Sequence, residues 1–175
     1  MTKILLAYST VDGHTLTICE RIRRALEAAG GTVTLVTVEQ AASLDLAGFD
    51  KIAIAASIRY GKHRPNVAEF VERHASLLAA RPCAFFSVNI VARKPEKNRA
   101  ETNPYVRKFL ARVPWKPALA DVFAGRLNYP ALGPVDRTMI RFIMWMTKGP
   151  TDPTGVYEFT DWARVDAFAA ALARL

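Results

Sequence analysis

Cysteine and long apolar runs are both scarce in this chain of 175 residues, and each shortage removes a class of protein. The two cysteines, Cys19 and Cys83, lie in apolar stretches. They are too few for a disulfide framework and read as small buried side chains in a reducing compartment. No metal site is expected. No apolar run approaches the ~20 residues needed to span a bilayer. The amino terminus enters a strand at once, so no signal peptide is expected. A soluble or peripheral cytoplasmic protein follows. Acidic residues are short as well, 16 against 24 basic, which leaves a net charge of +8 and a pI near 9.8. Such an excess favours an anionic partner: nucleic acid, an anionic membrane surface or an acidic small molecule. A merely solvated basic surface is the alternative. The chain lacks any aromatic-basic strand motif or reading helix, so no nucleic acid is expected.

What is present describes an ordinary globular chain, 51% apolar and 23% charged, long enough for one domain over residues 1–175. Apolar residues 3–8 suit a buried parallel strand, and residues 16–29 carry Leu16, Cys19, Ile22, Leu26 and Ala29 at helical spacing. Between them Ser9, Thr10, Val11, Asp12, Gly13, His14 and Thr15 form a hydroxyl-rich loop at a strand's carboxyl end. Free backbone N–H groups and the helix dipole make that place an anion site. The loop has no lysine, so it is not the phosphate loop of nucleoside triphosphatases. The hydroxyls of Ser9, Thr10 and Thr15 suit a phosphate monoester. A tight turn capped by Thr15 or Asp12 is the other reading.

Further strands begin at Thr32, Lys51, Cys83 and Leu119, the last running to residue 127, with helical patterns between them. One helix begins at Pro65 and carries Val67, Phe70, Val71, His74, Leu77 and Leu78 on a single stripe; another follows Asn103. Alternation at this spacing implies a doubly wound parallel α/β sheet of five strands with helices on both faces. Residues 58–64 and 90–103 follow strands and are therefore candidate site loops. Residues 128–155 are an inserted segment, with a helix over 136–148. Arg137, Arg141 and Lys148 share one stripe of that helix, and Met139, Ile140, Phe142, Ile143, Met144, Trp145 and Met146 cover most of the rest. A basic helix with this apolar content lies in a membrane interface, or else packs on the domain or on a second subunit. Thr160 is placed to cap a last helix over 161–175.

With these loops placed, the chain resembles the flavodoxin-like family and, within it, the bacterial menaquinone-dependent protoporphyrinogen IX dehydrogenases. The resemblance rests on residues 9–15, on Ala56-Ser57-Ile58-Arg59-Tyr60-Gly61, and on the block from Ser87 to Lys97. It continues through Tyr129-Pro130, residues 136–140 and residues 157–162. It implies the strand order 2-1-3-4-5 and FMN as cofactor. The FMN phosphate would sit on Ser9, Thr10, Val11, Asp12, Gly13, His14 and Thr15. The isoalloxazine ring would lie between Ser57, Ile58, Arg59, Tyr60 and Gly61 on one side and Asn89, Ile90, Val91, Ala92 and Arg93 on the other. Tyr60 would stack on or flank the ring. The implied reaction is the six-electron oxidation of protoporphyrinogen IX in haem synthesis, with a membrane quinone, menaquinone, as acceptor. Arg59, Lys62, Arg64, Arg93, Lys94, Lys97 and Arg99 would offer partners for the two propionates. No general base stands out: His63 is a candidate, but a lone loop histidine is more often solvent-exposed, and flavin hydride chemistry need not use a side-chain base. The protein would work at the inner face of the cell membrane, as a monomer or a homo-oligomer. The alternative is a flavodoxin-type electron carrier or a general FMN quinone reductase, although carriers are usually acidic.

Overall fold

The structure, a computed structural model, describes residues 1–175. Strands β1 (Lys3–Ser9), β2 (Thr32–Thr37), β3 (Lys51–Arg59), β5 (Cys83–Val88) and β6 (Leu119–Phe123) form a parallel sheet in the order β2-β1-β3-β5-β6. That is the expected 2-1-3-4-5 order. The period of two along each strand feeds two cores. Leu5, Ala7, Ile52, Ile54, Cys83 and Phe85 face the helices α2 (Val38–Ala41), α3 (Pro65–Arg73), α4 (Ala75–Ala79) and α5 (Pro104–Arg112). Ile4, Leu6, Ala53, Ala55, Ala84 and Phe86 face α1 (His14–Ala28) and α7 (Trp162–Arg174). Both cysteines are free and buried, one in each core.

Several expected boundaries move. The long helix after Pro65 breaks at His74, where φ −109° ends α3 before α4 begins. The α7 helix is capped by Asp161, whose carboxylate accepts from the Ala163 and Arg164 amides. Thr160 is not the cap, because its hydroxyl donates to the Ala124 carbonyl at 2.7 Å. Residues 119–127 do not form one strand. The chain leaves the sheet at Ala124 and Gly125, and β7 (Arg126–Asn128) pairs antiparallel with β8 (Val156–Glu158) in a separate ribbon. This ribbon closes the root of the insert.

Residues 58–64 are a hairpin rather than an open loop. β3 continues to Arg59, which pairs with Lys62 of β4 (Lys62–His63), also off the main sheet order. Tyr60 and Gly61 both have positive φ, 50° and 75°, the two-residue primed turn that matches strand twist.

The inserted helix α6 (Pro134–Met146) packs Met144 and part of Ile140 on a small core with Leu127, Tyr129 and Tyr157. Its polarity is the reverse of an electrostatic membrane helix. Arg137 donates to the carbonyls of Tyr129 and Leu132, and Arg141 donates to that of Thr151. Two cations of the stripe are thus tied to the insert's own backbone, while Lys148, just past the helix, stays exposed. Val135, Phe142, Trp145 and Met146 are left at 78%, 59%, 70% and 61% exposure.

Candidate functional site

The carboxyl ends of β1 and β3 lie side by side, with Ser9 paired to Ala56. Ser9, Thr15 and Ser57 are buried there, and none of their hydroxyl oxygens has a hydrogen-bond partner. A buried polar group left unpaired costs about 1–3 kcal/mol. These three groups lie at the carboxyl ends of β1 and β3 and in the first turn of α1, the edge where backbone amides and a helix amino terminus favour an anion. Gly13 adopts φ 89° at the start of α1, and no side chain caps that position. Thr10 and Asp12 instead shape the loop by accepting from the amides of Gly13 and His14, at 3.0 and 3.1 Å. Thr15 is therefore no cap, and its hydroxyl is available. Val11 and Asp12 sit exposed at the loop's outer edge. No cationic side chain belongs to the loop, so a phosphate ester would be held by amides and hydroxyls. The residues fit that group.

His14 anchors the loop from behind. Its Nε2 lies 2.7 Å from the Thr160 hydroxyl, which already donates to Ala124. The imidazole must therefore donate through Nε2–H. Burial pushes its pKa below the usual range, opposed in part by Glu158.

Two walls rise beside the loop. The first is the β3–β4 hairpin with Ser57, Ile58, Arg59, Tyr60 and Gly61. The second is Asn89 followed by a short turn, Ile90–Arg93, which Asn89 caps by accepting from the Ala92 amide at 3.1 Å. Ala92 points into the core, whereas Ile90 and Val91 are half-buried. Helix α6 bridges the walls. Asp136 at one end takes an ion pair from Arg59 at 2.5 Å and a hydrogen bond from the Tyr60 hydroxyl. Arg93 grips the other end through the Thr147 hydroxyl at 2.9 Å and the Thr147 carbonyl at 3.2 Å.

The cations expected to meet propionates are unequal in this setting. Arg59 and Arg93 hold α6, and Arg64 pairs with Glu39 at 3.4 Å. Arg99 opens onto a depression shared with Asp121 and Arg164. Lys62 is exposed, and Lys94 and Lys97 are half-buried.

His63 is where the sequence reading fails. It is no solvent-facing loop residue: its ring sits against Phe85 and Phe109, at 5.8 and 5.1 Å, with Nε2 2.9 Å from the Ser87 hydroxyl. Burial takes its pKa down to about 4. Asn103 caps α5 by accepting from the Tyr105 and Val106 amides, a role partly legible because Asn-Pro marks a helix start. Nothing local signals that His63 turns inward or that Asp136 reaches Arg59.

The sequence matches the Flavodoxin domain family over residues 5–154. It is 46% identical, over 99% of its length and 75% of the relative's, to "Protoporphyrinogen IX dehydrogenase [quinone]" of Leishmania major. Against the protein of the same name from Escherichia coli K12 the identity is 41%, covering 99% and 96% of the two chains. Among solved structures, oxidised Flavodoxin 1 from Bacillus cereus superposes with a TM-score of 0.57 at 14% identity, over 99% and 98% of the chains. The two-electron reduced flavodoxin of Megasphaera elsdenii gives 0.55 at 13%, over 98% and 99%. At such identities these two likenesses speak for the fold alone.

Proposed function

The chain belongs to the flavodoxin domain family, and on that premise we propose that it oxidises protoporphyrinogen IX to protoporphyrin IX with FMN as cofactor and a membrane quinone as acceptor. The observation that carries the cofactor is the cluster of unpartnered buried hydroxyls on Ser9, Thr15 and Ser57 at the sheet's carboxyl edge. Substrate and acceptor come from the relatives' names. Residues 1–175 act as one FMN-binding unit, with the segment between β7 and β8 as its insert.

When bound, FMN accepts electrons two at a time, so the six-electron oxidation takes three rounds and reduces three quinones. The chain's own residues bind and orient. Ser9, Thr10, Gly13 and Thr15 receive the phosphate. The hairpin and residues 89–93 flank the ring, with Tyr60 at its edge. Lys62, Lys94 and Lys97 are the cations least committed elsewhere, and we assign the propionates to them first. Such a reaction belongs to haem synthesis, and menaquinone is our reading of the quinone.

The test is direct. The FMN-loaded protein, given protoporphyrinogen and a menaquinone analogue, should raise porphyrin fluorescence well above autoxidation. A rise that does not depend on quinone would overturn the reading.

A lipid-soluble acceptor calls for contact with a bilayer, and we place that contact on the outward face of α6, at the inner surface of the cell membrane. No helix is long and apolar enough to cross it. Because Arg137 and Arg141 are tied to carbonyls, attachment rests on apolar insertion rather than on those charges. Phe142 and Trp145 carry most of that face, and burying one such side chain contributes about 1.5–3 kcal/mol. Replacing both with glutamate should reduce co-sedimentation with lipid vesicles at least tenfold. The urea stability should stay within about 0.5 kcal/mol, as for exposed sites generally. Undiminished vesicle binding would remove α6 from the membrane contact.

A further inference from the structure

A chain of buried hydrogen bonds, which the proposed reaction does not use, joins the two walls of the site from beneath. It starts at His63 on β4, three residues past Tyr60. His63 Nε2 lies 2.9 Å from the Ser87 hydroxyl, and the same hydroxyl accepts from Asn89 Nδ2 at 3.2 Å. Asn89 Oδ1 accepts from Asn103 Nδ2 at 3.1 Å, and Asn103 Nδ2 also reaches the Lys97 carbonyl at 2.9 Å. Asn103 Oδ1 closes the chain by capping α5 through the Tyr105 and Val106 amides. Ser87 and Asn103 are fully buried and Asn89 is 4% exposed.

We propose that His63, through Ser87, Asn89 and Asn103, positions the two loops that flank the FMN ring, so that neither wall moves without the other. The proposal rests on the FMN reading given above.

The direction of the bonds supports it. Ser87 has one hydroxyl proton and no acceptor near it other than His63. Serine therefore donates to His63 Nε2, which leaves no buried proton unpaired. Asn103 donates to Asn89 at 3.1 Å and accepts a longer bond back from Asn89 Nδ2 at 3.4 Å, while Asn89 donates to Ser87 and Ser87 to His63. A fully satisfied network of this kind specifies a single geometry, whereas a half-satisfied one is costly. Its attachments are the loops themselves. His63 fixes the returning arm of the hairpin, Asn89 caps the 90–93 turn, and Asn103 holds the far end of that loop at Lys97. A core needing only to be filled would place apolar side chains at 87, 89 and 103. These polar ones order the site.

His63→Phe keeps the packing on Phe85 and Phe109 but removes the acceptor, whereas His63→Gln retains an acceptor for Ser87. Ser87→Ala breaks the chain without adding bulk and serves if the phenylalanine variant fails to fold. The readouts are FMN affinity of the full-length apoprotein and the midpoint potential of the loaded protein. We expect His63→Phe and Ser87→Ala each to weaken FMN about tenfold and to shift the potential, with the double variant no worse than either alone. His63→Gln should restore both values. Wild-type affinity and potential in the two disruptive variants would overturn the proposal, as would a glutamine variant no better than phenylalanine. Wild-type apoprotein that takes up no FMN overturns the cofactor reading and this inference with it. Uptake by the wild type with unchanged variants overturns this inference alone.

Discussion

Replacing Ser9 with alanine and Thr15 with valine should give an apoprotein that is more stable than the wild type and nearly unable to hold FMN. The opposite signs come from one fact: both hydroxyls are buried, and neither has a partner. Without ligand each is a desolvated polar group, so its removal relieves about 1 kcal/mol. With a phosphate present each donates a charge-assisted hydrogen bond, contributing about 1.5–3 kcal/mol. Losing one should raise the FMN dissociation constant some 10- to 100-fold, and losing both about 10²- to 10⁴-fold. Urea unfolding of the apoprotein reads the first effect. Quenching of flavin fluorescence on titration reads the second. The two curves cross when FMN is added, because ligand at about 100 times the dissociation constant adds ~2.7 kcal/mol to the wild type only. Thr15→Ser, which keeps the hydroxyl, should lose little affinity. Unchanged affinity in the double variant would mean that the phosphate lies elsewhere.

Acid should loosen the fold in a narrow window, and His63 should account for most of it. Burial against Phe85 and Phe109 lowers its pKa from 6.5 to about 4. A protonated Nε2 can no longer accept from Ser87: the bond reverses, the hydroxyl oxygen accepts, and the serine proton is left without a partner. The sign follows from linkage: between those two values the unfolded chain binds the proton and the folded chain does not. Stability is therefore complete above pH 6.5 and falls as pH drops toward 4, by up to about 3 kcal/mol for this one group. His14 and His74 are lowered by burial too and push the same way. Urea midpoints at pH 7, 5.5 and 4 should show the decline, and His63→Phe should flatten most of it. A slope as steep in the phenylalanine variant as in the wild type would assign the effect to other groups.

The unequal legibility of His63 and Thr15 has a physical cause. Thr15 is next in chain to the elements that define its role. A strand ends, a glycine turns, a helix starts, and the anion site follows from local geometry. His63 is defined by Phe85, Ser87 and Phe109, brought to it from 22 to 46 residues away by the pairing of β3 with β5 and the packing of α5. The same holds for α6. Its apolar and basic positions can be counted along the sequence, and the count suggests a cationic outer face. Only the folded insert brings the carbonyls of Tyr129, Leu132 and Thr151 to Arg137 and Arg141, which turns the apolar residues outward.

The hydroxyl loop, the five parallel strands and the two candidate walls were thus determined by the sequence itself, because period and turn chemistry act over a few residues. Tertiary structure alone decided that residues 58–64 return as a hairpin, that residues 126–128 leave the sheet for a ribbon, and that one buried chain ties the walls together. Those features depend on which distant groups remain unpaired once the sheet has closed, and burial makes each such group costly until it finds a partner.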